Sequence, residues 1–200
     1  MGSKEKILKK SEELFLRYGL KSVTMDDLAS QLGMSKKTLY QFVENKGDLI
    51  EQIVHLHISD EKAFFANTRE NSKDAVEEMI LIGRHNIQEL KKLSPTVIYD
   101  LKKYYQHLWS LIEQLESDHT YDFIKSNIEK GINQGVYRPD INADIIAKIY
   151  VLGALSVVNE NIFSQKTYKK EDLFTEFIKY HLQGITTEKG LVLYNKYLKK

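Results

Sequence analysis

Lys36, Lys37, Thr38, Tyr40 and Gln41 fall within six consecutive positions and carry the side-chain chemistry that grips a nucleic-acid duplex. A Gln amide pairs bidentately with adenine, a Lys ammonium donates to guanine O6 and N7, and a Thr side chain meets the thymine methyl. Each good base-edge contact discriminates by roughly 1 to 3 kcal/mol. Gln41 and Lys37 are therefore the base-edge candidates, with Thr38 a thymine-methyl contact. Taken singly, Lys36 and Lys37 would more often be a solvated helix face and Tyr40 ordinary packing. Their occurrence together between two capped short helices favours the binding reading.

No other set of side chains points to chemistry as strongly. Six His residues occur in the chain. His57 with Glu61, and His85 with Glu89, have the spacing that puts two ligands on one helix face. No H-E-x-x-H pattern accompanies them, so they read as solvated or hydrogen-bonded neighbours, and neither a metal nor any cofactor is expected. P-loop, dinucleotide-binding and nucleophile-elbow patterns are missing, so the common enzyme classes are not expected either. Cysteine is absent, which excludes disulfides and thiolate metal sites and fits a reducing, cytoplasmic setting. No secretory signal is read, and the most apolar stretch, 145–158, is too short for a membrane span of about 20 residues.

The elements that must position the reactive residues are legible around them. Thr24, followed three residues later by Asp27, starts one short helix in the manner of a capping box. Leu28, Ala29 and Leu32 recur at helical spacing, and Gly33 stops the run. Ser35 caps a second helix, in which Leu39, Phe42 and Val43 point inward and leave the polar set facing out. Asn45, with Asp48 beyond it, opens a third. Two short helices joined by a tight glycine turn form a helix-turn-helix, whose second helix is shaped to enter a major groove. Charge agrees: residues 1–46 hold nine Lys and Arg against six Asp and Glu, whereas residues 47–200 hold twenty against twenty-two. The basic surplus of a chain with net charge +1 thus lies around this motif.

These residues resemble the TetR family of bacterial transcriptional regulators. The likeness rests on ILKKSEELFLRYGLKSVTM before the motif, LYQFV at the end of its second helix, and NKGDL opening the next. It covers roughly the first sixty residues, with Val43 where the family usually has Phe and Phe42 where it often has His or Tyr. The resemblance implies phosphate contacts from Tyr40, Thr24, Ser35, Lys36 and Lys46, the last helped by a helix N-terminus. It also implies a homodimer on a palindromic operator, a double-stranded DNA site, with a small effector releasing a repressor. A ligand-independent DNA-binding protein acting through a protein partner is the alternative, and an all-α enzyme or carrier a more distant one.

Helical periodicity runs almost throughout, predicting an all-α fold: a three-helix DNA-binding head over 1–61, with its motif at about 24–43, and a larger helical effector-binding and dimerisation body over 62–200. Further helices are expected at about 46–66, 73–93, 95–103, 105–134, 143–163, 171–183 and 188–198. Tyr99, Tyr104, His107 and Trp109 are candidates for the lining of an effector pocket, and Asn159, with Glu160, is a buried polar pointer on the eighth helix. A small, mainly apolar effector is expected. Ile146, Ile149, Tyr150, Gly153 and Val157, with Phe174, Phe177, Ile178 and His181, are expected to build a four-helix dimer interface.

Overall fold

The computed structural model describes residues 3–92, 94–157, 159, 161–164 and 166–199. Among these the fold is all α, with no strand and a single antiparallel bridge from Tyr137 to Thr186. The helices are α1 (Ser3–Tyr18), α2 (Met25–Gln31), α3 (Lys36–Leu39), α4 (Lys46–Asn71), α5 (Ala75–Lys92), α6 (Pro95–Tyr104), α7 (Gln106–Asn133), α8 (Ala143–Val157), α9 (Lys170–Ile185) and α10 (Glu188–Leu198). They fall into two compact units: Met1–Glu61 with Lys92–Gln114, and Lys62–Lys91 with Leu115–Lys200.

The first unit is organised around one apolar core. Ile7, Leu8 and Phe15 of α1, Leu28 of α2, Leu39 of α3 and Leu49, Ile50 and Ile53 of α4 are all buried in it, joined by Val97 and Leu101 of α6 and Leu108 of α7. Leu28, Leu39 and Leu49 retain no exposed surface, and each such burial stabilises by roughly 1.5 to 3 kcal/mol. Two tight connections depend on glycine. Gly19, at φ +89°, ends α1, and Gly33, at φ +66°, turns the chain between α2 and α3; both lie in the left-handed region that L side chains avoid.

The second unit buries polar groups as well as apolar ones. The Ala75 carbonyl accepts from Asn127 Nδ2 at 3.0 Å and from the Tyr137 hydroxyl at 2.9 Å, while the Ala75 N–H donates to Gln134 Oε1 at 2.9 Å. Burial pushes the Tyr137 phenol well above its ordinary value, so it stays a donor. Its ring fills the space that Gly131 leaves open, where a Cβ would lie 2.0 Å from Tyr137 Cδ2. Glu78 is fully buried; Lys130 Nζ is 2.5 Å from one oxygen, and Arg69 Nε faces the other at 4.0 Å, beyond hydrogen-bond reach.

Helix limits depart from periodicity in three places, the first being α3, which ends at Leu39 and leaves Tyr40 as its C-cap and Gln41, Phe42 and Val43 beyond it. α4 continues to Asn71 rather than stopping near residue 66, because Thr68 stays buried and no helix-breaking residue intervenes. α8 ends at Val157 instead of running to residue 163. Asn159 forms a turn there, its Oδ1 accepting from the Asn161 N–H at 3.0 Å, in the manner of an Asx turn that competes with helix continuation.

Candidate nucleic-acid interface

Local hydrogen bonds build the helix-turn-helix. Thr24 Oγ1 accepts from the Asp27 N–H at 3.1 Å, and Asp27 Oδ2 accepts in return from the Thr24 N–H at 2.8 Å and its hydroxyl at 2.6 Å. This reciprocal cap satisfies two otherwise orphaned amides at the start of α2. The Thr24 hydroxyl and N–H hold the Asp27 carboxyl below its usual value. At α3, Ser35 Oγ accepts from the Thr38 N–H at 3.1 Å and shares a 2.8 Å hydrogen bond with the Thr38 hydroxyl. Leu39 and Val43 are buried beneath, and Phe42 packs partly against the same core.

The polar residues fall on the other side. Lys37 and Gln41 are exposed, Tyr40 is 43% exposed, and Thr24 and Ser35 are exposed while acting as caps. Thr38 is half-buried, with its hydroxyl on Ser35. Lys36 is exposed but sits 2.9 Å from Asp26, whose carboxylate raises its ammonium above the ordinary value. Solvent screens an exposed pair of this kind, so a phosphate could displace Asp26 at small cost. Among the described residues Lys37 has no carboxylate at ion-pair distance.

Lys46 is positioned differently from the rest. Its side chain is half-buried, Nζ lies 3.5 Å from the Lys21 carbonyl and 5.8 Å from the centre of the Phe15 ring. Burial pulls its ammonium below the ordinary value, against the opposing pull of Asp100 and Asp27. Asp100 is a residue that sequence reasoning missed. It is 4% exposed, and its Oδ2 accepts from the Lys21 N–H at 3.1 Å, fixing the loop before α2 to α6. A signal existed: Asp100 shares the inward stripe of α6 with Val97 and Leu101, and a carboxylate on such a stripe requires a partner.

The effector candidates do not gather in an apolar cavity. Tyr99 and Tyr104 are 55% and 42% exposed, and His107 is also exposed. Trp109 packs partly against the core of the first unit, under the Lys102 ammonium at 4.7 Å from its ring centre. Asn159 is exposed beyond the end of α8, which removes the reading of it as a buried polar group; Glu160 lies outside the described residues. A cleft of about 130 Å³ instead opens within the second unit, lined by Phe65, Ala66 and Arg69 of α4 and His119, Asp122 and Phe123 of α7. There the Arg69 guanidinium stacks 4.9 Å above Phe123, and His119 meets the Phe65 ring edge-on at 5.3 Å.

The dimer candidates divide between core and surface. Tyr150, Val157, Phe174, Ile178 and His181 are buried inside the second unit's own core, so they are not available to another copy. The face expected of α8 was too wide: with 3.6 residues per turn, 150 and 157 turn inward while 145, 149 and 152 turn outward. Ile145, Ile149 and Leu152 are 53%, 57% and 65% exposed. Ile146 and Phe177 are half-buried. The close approach at Gly153 is made by Phe177 of α9, since a Cβ would lie 2.4 Å from Phe177 Cε2.

Comparison with known proteins agrees with the geometry of the head. Residues 7–53 match the model for the bacterial regulatory proteins of the tetR family. The chain is 24% identical over 189 residues to YvaF of Bacillus subtilis, described as an uncharacterized HTH-type transcriptional regulator, covering 92% of this chain and 96% of that one. A second B. subtilis regulator with the same description, YhgD, is 26% identical over 159 residues, 74% of this chain and 80% of its own length. Among solved structures, a transcriptional regulator from Cytophaga hutchinsonii superposes with a TM-score of 0.70 at 22% identity, covering 92% and 98% of the two chains. A Saccharomonospora viridis regulator solved with choline gives 0.64 at 19% identity, covering 93% and 98%. The matched segment contains both capped helices, the glycine turn and the start of α4, so residues 7–53 form a DNA-binding domain of the tetR family of bacterial regulatory proteins.

Proposed function

We propose that this regulator is a repressor that binds a palindromic operator as a homodimer and is released by a small effector. The observation that carries the DNA-binding part is the outward grouping of Lys37 on α3, Tyr40 at its C-cap and Gln41 in the turn beyond, held from behind by Leu39 and Val43. Gln41 and Lys37 read base edges, and Thr38 meets a thymine methyl. Tyr40, Ser35, Thr24, Lys36 and Lys46 hold phosphates. A second copy joins through the exposed α8 stripe of Ile145, Ile149 and Leu152, apolar surface that water otherwise covers. Two heads on one dimer then meet half-sites about 34 to 36 Å apart, or a multiple of that spacing.

The effector part is supported by the cleft between α4 and α7, whose two phenylalanines offer apolar contact and whose Arg69 offers a polar handle. The S. viridis regulator of the same fold is described in complex with choline, which supports a small-molecule site in a fold of this kind. At about 130 Å³ the cleft is below the usual ligand-site range of about 300 to 1,000 Å³, so a larger effector must displace its lining. The test is selection from a random duplex library followed by ultracentrifugation. Enrichment of an inverted repeat by a dimeric protein is the expected result; enrichment of no sequence, or specific binding by a monomer, overturns the reading.

A further inference from the structure

Several lysines of the chain are neutralised by a carboxylate neighbour. Lys9 lies 3.2 Å from Glu5, Lys10 2.7 Å from Glu13, Lys148 2.9 Å from Asp144 and Lys179 3.6 Å from Glu176. A group in the first unit is arranged otherwise. Lys21 Nζ stands 4.0 Å above the centre of the Tyr104 ring, and Lys103 Nζ lies 2.6 Å from the Tyr99 hydroxyl and 5.4 Å from the Tyr104 ring. Lys102 covers Trp109 at 4.7 Å. Among the described residues none of these three lysines has a carboxylate at ion-pair distance. Their charges are solvent-facing and held over aromatic rings rather than cancelled.

We propose that this lysine–tyrosine face of α6 and the α1–α2 loop is an additional DNA-backbone contact, gripping phosphates outside the base pairs read by α3. The proposal rests on the DNA-binding reading above. Two observations select phosphate as the ligand chemistry. The surface offers donors, ammonium groups and phenolic hydroxyls, with no exposed acceptor charge among them, and phosphate oxygens are acceptors only. The patch is also continuous with the face already assigned to the operator: Lys46 Nζ reaches the Lys21 carbonyl at 3.5 Å, and Thr24, the cap of α2, follows Lys21 by three residues. Asp100 pins that loop to α6 through the Lys21 N–H, so Lys21 and Lys103 are presented together. The nearby ammoniums of Lys21 and Lys103 keep the Tyr104 phenol below its ordinary value, a sign of the positive potential there.

The test uses the full chain, a random-sequence B-DNA duplex and binding measured over a range of salt. Removing one lysine–phosphate interaction should reduce the dependence of log K on log salt by about 0.9. The Lys21→Gln/Lys103→Gln variant should therefore show a slope shallower by about two units per bound protomer on any sequence, with unchanged thermal unfolding because both side chains are exposed. Lys10→Gln, which removes a lysine already paired with Glu13, should leave the slope where it is. A double variant with the wild-type slope overturns the proposal. Loss of binding to polyglutamate without a change in the DNA slope also overturns it, assigning the face to an acidic protein partner. If the wild type itself shows no salt-dependent DNA binding, the DNA-binding reading has failed and this contact falls with it.

Discussion

The head and the body satisfy their polar groups in opposite ways. Around α2 and α3 the hydrogen bonds are short in sequence: Thr24 with Asp27, Ser35 with Thr38 and Asn45 with Asp48 each span three residues. In the body the decisive contacts span 52 residues between Glu78 and Lys130, 62 between Ala75 and Tyr137, and 123 between Asp74 and Tyr197. At α2 and α3 the helix-start amides are thereby finished locally, which leaves side chains free to face outward, as a reading surface requires. The body encloses its polar groups, and in low dielectric an unmatched partner there is costly. Loss of stability and loss of binding should accordingly map to different halves of the chain.

The sharpest break of this contrast is Lys130→Ala. It strands the fully buried Glu78 carboxylate, whose other oxygen has Arg69 no nearer than 4.0 Å, and should destabilise by about 3 to 5 kcal/mol in denaturant unfolding. A cost no larger than that of removing the exposed Lys10 would mean that Glu78 is not held as described.

Acid should act on the body through His181. Burial alone lowers its imidazole to about 4, from an ordinary 6.5, in a site bounded by the Tyr150 ring at 4.8 Å. Because the unfolded chain takes up the proton first, the neutral histidine's stability is complete above pH 6.5 and is lost as pH falls from 6.5 towards about 4. The shift corresponds to about 3 kcal/mol. Unfolding free energy measured across this window should fall in the wild type and lose that component in His181→Phe. An identical profile in both would remove His181 as the acid-sensitive group.

The surface stripe on α8 sharpens the comparison by testing association apart from folding. Ile149→Lys removes an apolar side chain that is 57% exposed, so thermal unfolding of the monomer should change little. Burying such a side chain contributes roughly 1.5 to 3 kcal/mol, so each dimer, losing two, should dissociate more than tenfold more readily by ultracentrifugation. A smaller effect belongs to the head. Thr24→Ala deletes the α2 cap and should cost about 1 kcal/mol, with Thr24→Ser restoring it. Equal stability in Thr24→Ala would mean that Asp27 secures the helix start without the hydroxyl.

The same contrast accounts for how much of the molecule is legible in its sequence. Thr24, Gly33, Ser35 and the Leu39–Val43 stripe announce the head because caps, turns and helical spacing act over three or four residues. Helix count and the all-α class are readable for the same reason. Glu78 and Asp100 give no such local sign of their partners, Lys130 and the Lys21 amide, which lie 52 and 79 residues away. On α8 the apolar content is evident, yet which stripe faces inward depends on where α9 lies, and Phe177 against Gly153 settles that within the chain. Tyr99 and Tyr104 pass for pocket aromatics because residue type does not reveal that Lys21 and Lys103 cover them.

Whether the outward side of α3 and the turn that follows it reads bases is tested most directly by repeating the operator selection with Gln41→Ala. The expected result is a motif relaxed at one position in each half-site, with a discrimination loss of roughly 1 to 3 kcal/mol there and an unchanged salt slope. A motif identical to that of the wild type, or uniform weakening across all sequences with a shallower slope, would contradict the assignment of Gln41 to a base edge.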